Sequence, residues 1–179
     1  MIIIDTETTG LPQPSVAGLD AQPSIIDFYA MKVDLRDMSI IGEVEFLCKP
    51  PNPIDAVITK ITGLYNSDLD GLEPFGAHFE EVAQLFVGET EVVAHNCQFD
   101  MGLLEFEMAR LGKSTLFPWP MRRCCTVEAT YHLNNRRMKL TELYQHAVGR
   151  PLEQKHRARA DVEALWEVVQ WMYRERMPL

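Results

Sequence analysis

Met1-Ile2-Ile3-Ile4-Asp5-Thr6-Glu7-Thr8-Thr9-Gly10 is the stretch that decides how the rest of the chain is read. Its four leading apolar residues, three of them β-branched isoleucines, read as a strand covered on both faces at the centre of a sheet. Two carboxylates follow at once. Side chains alternate faces along a strand, so Asp5 and Glu7 point the same way, about 7 Å apart along the backbone. Taken alone, such an acid pair more often marks a core strand emerging into water. The remainder of the chain decides between that reading and a cation site.

The chain has 179 residues, 46% of them apolar and 24% charged, as expected of one globular domain with an ordinary core. No apolar run approaches a membrane span, and the start lacks the basic and apolar regions of a signal segment, so a cytoplasmic protein with no membrane partner is expected. Cys48, Cys97, Cys124 and Cys125 include no C-x-x-C pair and read as reduced thiols. The net charge of −9 argues at first against nucleic acid. Its distribution is uneven: residues 1–121 carry 6 basic against 19 acidic side chains, and residues 122–159 carry 9 against 3. A basic segment in an acidic body offers phosphates a surface, although charge runs are commonly just solvated.

Beyond Gly10, Leu11 to Ser24 holds three prolines with Ala17 and Gly18, and reads as a long loop or lip over the site. Ile25–Val33 and Ile40–Cys48 read as two strands joined by a polar turn at Asp37. A helix is expected after Pro74, with Phe75, Phe79, Val82, Ala83 and Phe86 inward. Glu91–Ala94 reads as a short core strand, followed by a helix from about Phe99 that Gly112 terminates. Arg122–Thr126 reads as the last strand. Leu140, Leu143, Tyr144 and Ala147 form one further helical face, and Val162, Leu165, Trp166, Val169, Met172 and Tyr173 form another. Strands first, then helices mixed with short strands, predict an α/β sandwich on a mixed sheet.

The acids fall at the ends of these elements: Asp5 and Glu7 after the first strand, Asp100 after the strand at Val92 and Val93, Asp161 near the start of the last helix. Strand ends that open to solvent are where α/β sheets bind ligands. Four hard oxygen donors without a thiolate suit Mg²⁺ or Mn²⁺. A proton acceptor is also required. In one continuous helix His156 and Asp161 would diverge by about 140°. They converge if His156 stands on the loop before the helix, which the polar stretch Glu153-Gln154-Lys155-His156-Arg157 permits. An imidazole there is suited to general-base work near neutral pH.

Asp5-Thr6-Glu7-Thr8-Thr9-Gly10, His95-Asn96-x-x-Phe99-Asp100 and His156-x-Ala158-x-x-Asp161 together resemble the three motifs of the DEDDh family of 3′–5′ exonucleases, which includes the proofreading subunit of bacterial replicative polymerase. Ile25-Ile26, Ile61-Thr62-Gly63-Leu64 and Leu140-Thr141-Glu142-Leu143 also resemble that family's lesser landmarks. The resemblance implies a ribonuclease-H-like α/β fold, a mixed five-stranded sheet flanked by helices, and one exonuclease domain over residues 1–179. It also implies two Mg²⁺ or Mn²⁺ ions, with Asp5 bridging both, Glu7 and Asp161 completing one shell and Asp100 on the other side. Two ions about 4 Å apart activate the attacking water and stabilise the leaving oxygen. By the same analogy His156 takes the water's proton. Thr8, Thr9, Gly10 and Leu11 present backbone and a wedge to the terminal nucleotide, and His95, Asn96 and Phe99 line its pocket.

Each role has a plainer competitor. Phe99 at a helix start is more often core than base platform, His95 more often fixes a turn, and Arg157 and Arg159 are as readily surface arginines as phosphate holders. Three departures from the family pattern stand out: Thr62 where a histidine is usual, Asp27 where glutamate is usual, and the length of the 11–24 loop. The expected substrate is a single-stranded or frayed 3′ end, DNA in preference to RNA, with proofreading requiring a separate DNA polymerase. The rival readings are RNA 3′-end trimming, a non-catalytic nucleic-acid-binding module on the same fold, and an endonuclease.

Overall fold

Ile2, Ile3 and Ile4 are each 0% exposed, because the strand they begin lies third in a five-stranded sheet with a helical layer on either face. The computed structural model describes residues 1–13, 18–154 and 156–179. Its sheet consists of β1 (Ile2–Thr8), β2 (Ile25–Asp34), β3 (Ser39–Leu47), β4 (Glu91–Ala94) and β5 (Arg122–Cys125), in the order β3-β2-β1-β4-β5. β1 pairs antiparallel with β2, and β2 with β3, while β1–β4 and β4–β5 are parallel. The sheet is therefore mixed, in the ribonuclease-H-like arrangement.

The helices are α1 (Ala56–Thr62), α2 (Asn66–Leu69), α3 (Phe79–Phe86), α4 (Cys97–Arg110), α5 (Thr126–Ala129), α6 (Tyr131–Asn134), α7 (Leu140–Val148) and α8 (Ala158–Arg174). Alternation along β1 sorts them into layers. Ile2 and Ile4 face one core with Phe28, Phe79, Val82, Phe86, Leu103, Leu104 and Met108, which brings α3 and α4 onto that face. Ile3 faces the other, with Tyr29, Met31, Val33 and Val93 against Val162, Leu165, Trp166 and Val169 of α8. α7 packs on the outer side of α8 through Leu143, Tyr144, Val168 and Met172. Ile54, Ile58, Leu64 and Leu69 close a smaller cluster over Ile26 of β2.

The helix expected from Pro74 begins instead as a 3₁₀ turn, Phe75–His78, and becomes α-helical at Phe79. α4 starts at Cys97, two residues ahead of the expected Phe99, so His95 and Asn96 alone join it to β4. α1 and α2 were not anticipated. Asp55 caps α1 by accepting from the amides of Val57 (2.8 Å) and Ile58 (3.0 Å), and Gly63, at φ 73°, closes it in the left-handed region glycine enters without cost. The four cysteines are free thiols. No described helix is long and apolar enough to cross a membrane. Of the long loop after Gly10, residues 18–24 carry one short turn, Leu19–Ala21, held to α4 by Arg110, whose Nη2 donates to the carbonyls of Leu19, Gln22 and Pro23. The expected lip also includes Pro14 to Ala17, which lie outside the described residues.

Candidate active site

The end of β1 is shaped by a break in its register with β2. Glu7 lies opposite Asp27, but Thr8 lies opposite Ile25, so the antiparallel ladder bulges between Glu7 and Thr8. Bulges re-aim side chains and recur beside active sites. Asp5 and Glu7, half-buried, share the face covered by α8, while Thr6 and Thr8 are buried on the other. Asp100 reaches the same strand end from the first turn of α4 in the opposite layer. It is 3% exposed, and its Oδ1 accepts from both the Thr6 amide (3.0 Å) and the Thr6 hydroxyl (2.9 Å). The residue between the two acids thus fixes the third.

The fourth acid arrives on α8. The helix begins at Ala158, so Asp161 lies in its first turn and His156 stands two residues before it on the loop. That settles the geometric question left by the spacing, because the loop turns the imidazole back toward the carboxylate. Donor atoms of Glu7, His156 and Asp161 all lie within 4.8 Å of one another. His156 has φ 47°, a left-handed conformation uncommon outside glycine. Gln154, just upstream, donates from Nε2 to Asp161 Oδ2 (2.9 Å). Lys155, between them, lies outside the described residues.

All four acids are pushed toward the protonated state. Burial is the largest cause for each. For Asp5 the charges of Asp100, Glu7, Asp161 and Asp27 add to it. Glu7 rises to about 8, with Asp161, Asp27 and Asp100 reinforcing burial and Arg157 opposing it. Asp100 rises to about 7 against the hydrogen bonds from Thr6. Asp161 rises as well, opposed by Gln154 and by His156. Mutually repelling carboxylates gathered in a low-dielectric corner are strongly favoured by a bound cation. The buried Oδ1 of Asp161 also has no hydrogen-bond partner among the described residues, which is what a metal-facing oxygen would show. Hard, anionic oxygens and one nearby imidazole fit Mg²⁺ or Mn²⁺.

A stability test follows from these shifts. Between the ordinary carboxylate range near 4 and the folded values of about 7 for Asp100 and about 8 for Glu7, the native state holds more protons than the unfolded chain. Stability should therefore fall as pH rises through that window when metal is withheld. Thermal melts in EDTA should show Tm declining from pH 5 to pH 8. Mg²⁺ should raise Tm more at pH 8 than at pH 6, and at a concentration 100 times its Kd it would add about 2.7 kcal/mol. A Tm that is flat with pH in EDTA and indifferent to Mg²⁺ contradicts the cation site.

Beside the acids lies a cleft of about 430 Å³, walled by Thr6 to Leu11 on one side, by Asp55 and the α1 residues Val57, Ile58, Ile61 and Thr62 on the other, and by Phe99. Thr8, Thr9, Gly10 and Leu11 thus all line this cleft. Leu11 is 74% exposed, and the α1 residues Val57 and Ile61 are exposed too, so the rim is apolar. Thr9 ties this segment down: its amide donates to the Ser24 carbonyl and its hydroxyl accepts from the Ser24 amide, both at 3.0 Å. Phe99 serves two purposes, one side on the core of α3 and α4 and the other on the cleft. Thr62 does not replace the missing histidine as a free donor. Its hydroxyl donates to the Ile58 carbonyl (3.0 Å) and accepts from the Leu64 amide (3.1 Å), which commits it to the end of α1.

The structure does not bring His95 or Asn96 into this cleft. His95 Nε2 donates to the Met138 carbonyl (3.0 Å), and Nδ1 accepts from the Thr126 hydroxyl (3.0 Å) in the neutral ring that burial favours. It braces the end of β4 against α5 and the loop before α7. Asn96 is exposed, and its carbonyl accepts from the Phe99 amide (2.8 Å) at the start of α4.

The basic segment also differs from its expected role as a phosphate-facing surface. Arg122 pairs with Glu91, Arg123 with Glu105, Arg136 with Glu142, Arg137 with Glu128 and Arg150 with Glu167. Arg157 pairs with Asp27, and Arg159 with Glu43, Glu45 and Glu163. Glu128 and Glu142 belong to the segment itself, while Glu91, Glu105, Glu167, Asp27, Glu43, Glu45 and Glu163 come from elsewhere in the fold and offset much of its excess.

A mixed sheet that collects acids from β1, α4 and α8 at one strand end, with an imidazole beside them, defines a ribonuclease-H-like fold with a candidate cation site at its strand ends. The nuclease domain of 3′hExo, described as a DEDDh family member bound to rAMP, shares the fold at a TM-score of 0.75 and 14% identity over 99% of this chain and 93% of that one. Exonuclease X, solved with 5′-overhanging duplex DNA, does so at 0.67 and 19% over 99% and 93%. Residues 2–169 match the family model described as exonuclease, of RNase T type, and the chain belongs to that 3′–5′ exonuclease family. Among its relatives, the 3′–5′ exonuclease DinG of Bacillus subtilis is 32% identical over 168 residues, covering 90% of this chain. A PolC-type DNA polymerase III of Latilactobacillus sakei is 29% identical over 166 residues, covering 91%. The chain spans only 16% and 10% of those two proteins.

Proposed function

We propose that this protein, acting as one exonuclease domain over residues 1–179, hydrolyses single-stranded or frayed DNA from the 3′ end. The products are nucleoside 5′-monophosphates. Asp5, Glu7, Asp100 and Asp161 would hold two Mg²⁺ or Mn²⁺ ions, whose chemistry is to polarise the scissile phosphate and lower the pKa of water. The observation that carries this reading is the convergence of Glu7, His156 and Asp161 within 4.8 Å, with Glu7 also lining an apolar-rimmed cleft. His156 is the group placed to accept the proton of the attacking water, since its loop position leaves it partly exposed beside the acids. Leu11, Val57, Ile61 and Phe99 offer the terminal base an apolar wall, and a cleft of about 430 Å³ is in the range of small-molecule sites.

DNA is favoured over RNA because the relatives named PolC are DNA polymerases, and in this setting the domain would proofread for a separate polymerase. A 3′–5′ direction is the family's, and the cleft is compatible with one terminal nucleotide. The deciding experiment is a time course on a 5′-labelled single strand with Mg²⁺ and with EDTA. A ladder of progressively shorter labelled products, dependent on Mg²⁺, supports the reading. Matched RNA degraded faster than DNA reassigns the substrate, cleaved single-stranded circles make the enzyme an endonuclease, and binding without any product leaves a non-catalytic module.

A further inference from the structure

Asp27, on β2, is the cross-strand neighbour of Glu7 and is 3% exposed, yet it belongs to none of the three motifs. A buried carboxylate beside four others requires a partner of its own. It has one: Arg157 Nε donates to Asp27 Oδ2 at 2.6 Å, and the Ala158 amide approaches the same oxygen at 3.4 Å. Arg157 directly follows His156 and immediately precedes α8, while Ala158 is that helix's first residue. Asp27 therefore fixes both the side chain after the imidazole and the first amide of the helix that carries Asp161. On the other side of His156, Gln154 is tied to Asp161. The histidine, held at φ 47°, hangs between two tethers. Such a conformation is uncommon for a non-glycine residue, and the two tethers hold the loop on either side of it.

We propose that the Asp27–Arg157 pair is a latch that sets the place of the His156 imidazole, making Asp27 a positioning residue for proton transfer. This rests on the reading of His156 as general base. The pair spans the sheet and the loop, so it transmits the position of β2, and with it Glu7, to the base. Arg157 thereby serves the reaction through Asp27 rather than by gripping phosphate. Arg159, two residues on, repeats the attachment further from the site: it pairs with Glu43 and Glu45 of β3 and lies 4.9 Å from the ring centre of Tyr29.

Asp27→Asn removes the charge with little change of volume. Its kcat should fall about 10–100-fold, the range seen when groups orienting a reactive side chain are lost, while KM and Mn²⁺ affinity measured by calorimetry hold. In a His156→Ala background the same change should cost almost nothing further, because its effect passes through the imidazole. Arg157→Gln should reproduce the loss and serves if Asp27→Asn does not fold. Wild-type kcat in both variants overturns the latch. So does a loss that persists undiminished in the His156→Ala background, or a matching fall in Mn²⁺ affinity, since either makes Asp27 part of the cation cage. If the wild-type protein cleaves nothing, the proposed activity fails and the latch is read by NMR instead. The His156 imidazole cross-peak should then be sharp in wild type and shifted and broadened in Asp27→Asn, and an unchanged cross-peak overturns it.

Discussion

Asp5→Asn should lower Mg²⁺-dependent hydrolysis by at least about 10³-fold, and the same variant should melt at a higher temperature than wild type in EDTA. The two effects have one cause. Asp5 stands where burial and the charges of Asp100, Glu7, Asp161 and Asp27 all oppose its ionisation. An asparagine of nearly the same shape removes a charge that the metal-free fold must accommodate at a cost. With metal, the balance reverses. The carboxylate would then be the group through which the cluster binds its cations, and a neutral amide would not replace it as an anionic ligand. Metal catalysis contributes several kcal/mol of transition-state stabilisation, and each 1.36 kcal/mol is a factor of ten in rate. Steady-state hydrolysis of a labelled strand, paired with melts at pH 8 in EDTA and in Mg²⁺, checks both halves. Residual activity within tenfold of wild type removes Asp5 from the centre. A variant destabilised in EDTA shows that Asp5 supports the fold instead of straining it.

The parts of this arrangement legible in the sequence are those where one local rule governs. β1 announces itself because a strand buried on both faces tolerates only apolar residues until it reaches the site, and Ile4-Asp5 is that boundary. α8 is legible because its apolar residues keep helical spacing over 17 residues. α1 is not: Val57, Ile58, Thr59, Ile61 and Thr62 are β-branched, which disfavours helix, and Val57 and Ile61 turn toward solvent at the cleft rim and not into a core. The order of the acids along the chain identifies Asp5, Glu7, Asp100 and Asp161, whereas their supports are visible only in three dimensions. Thr6 holding Asp100, Gln154 holding Asp161 and Asp27 holding Arg157 join residues up to 130 positions apart. No periodicity encodes such pairs. The basic segment misleads for the same reason, since its neutralising acids come from other elements. His95 misleads differently, because a motif position fixes where a side chain stands without fixing whether it touches substrate or braces a turn.

His156→Ala should lower kcat by about 10²–10⁴-fold, the usual contribution of a positioned general base, with KM and metal affinity close to wild type. Two roles are open to an imidazole whose nitrogen lies within 4.8 Å of Glu7 and Asp161 donor atoms: metal ligand or proton acceptor. Ligand chemistry favours the second, because Mg²⁺ prefers oxygen and imidazole suits softer ions. The loop favours it too. A residue two positions outside the helix, held between Gln154 and Arg157 tethers, would face incoming water, while Asp161 inside the first turn would offer its buried oxygen to the cation. The pH dependence separates the roles. Without the base, the proton must leave to solvent hydroxide, so log kcat of His156→Ala should climb with pH and its gap from wild type should narrow. Titration of Mn²⁺ into both proteins completes the test: equal affinities keep His156 as the base, and a collapse of affinity in the variant makes it a ligand and leaves the water's proton to another group.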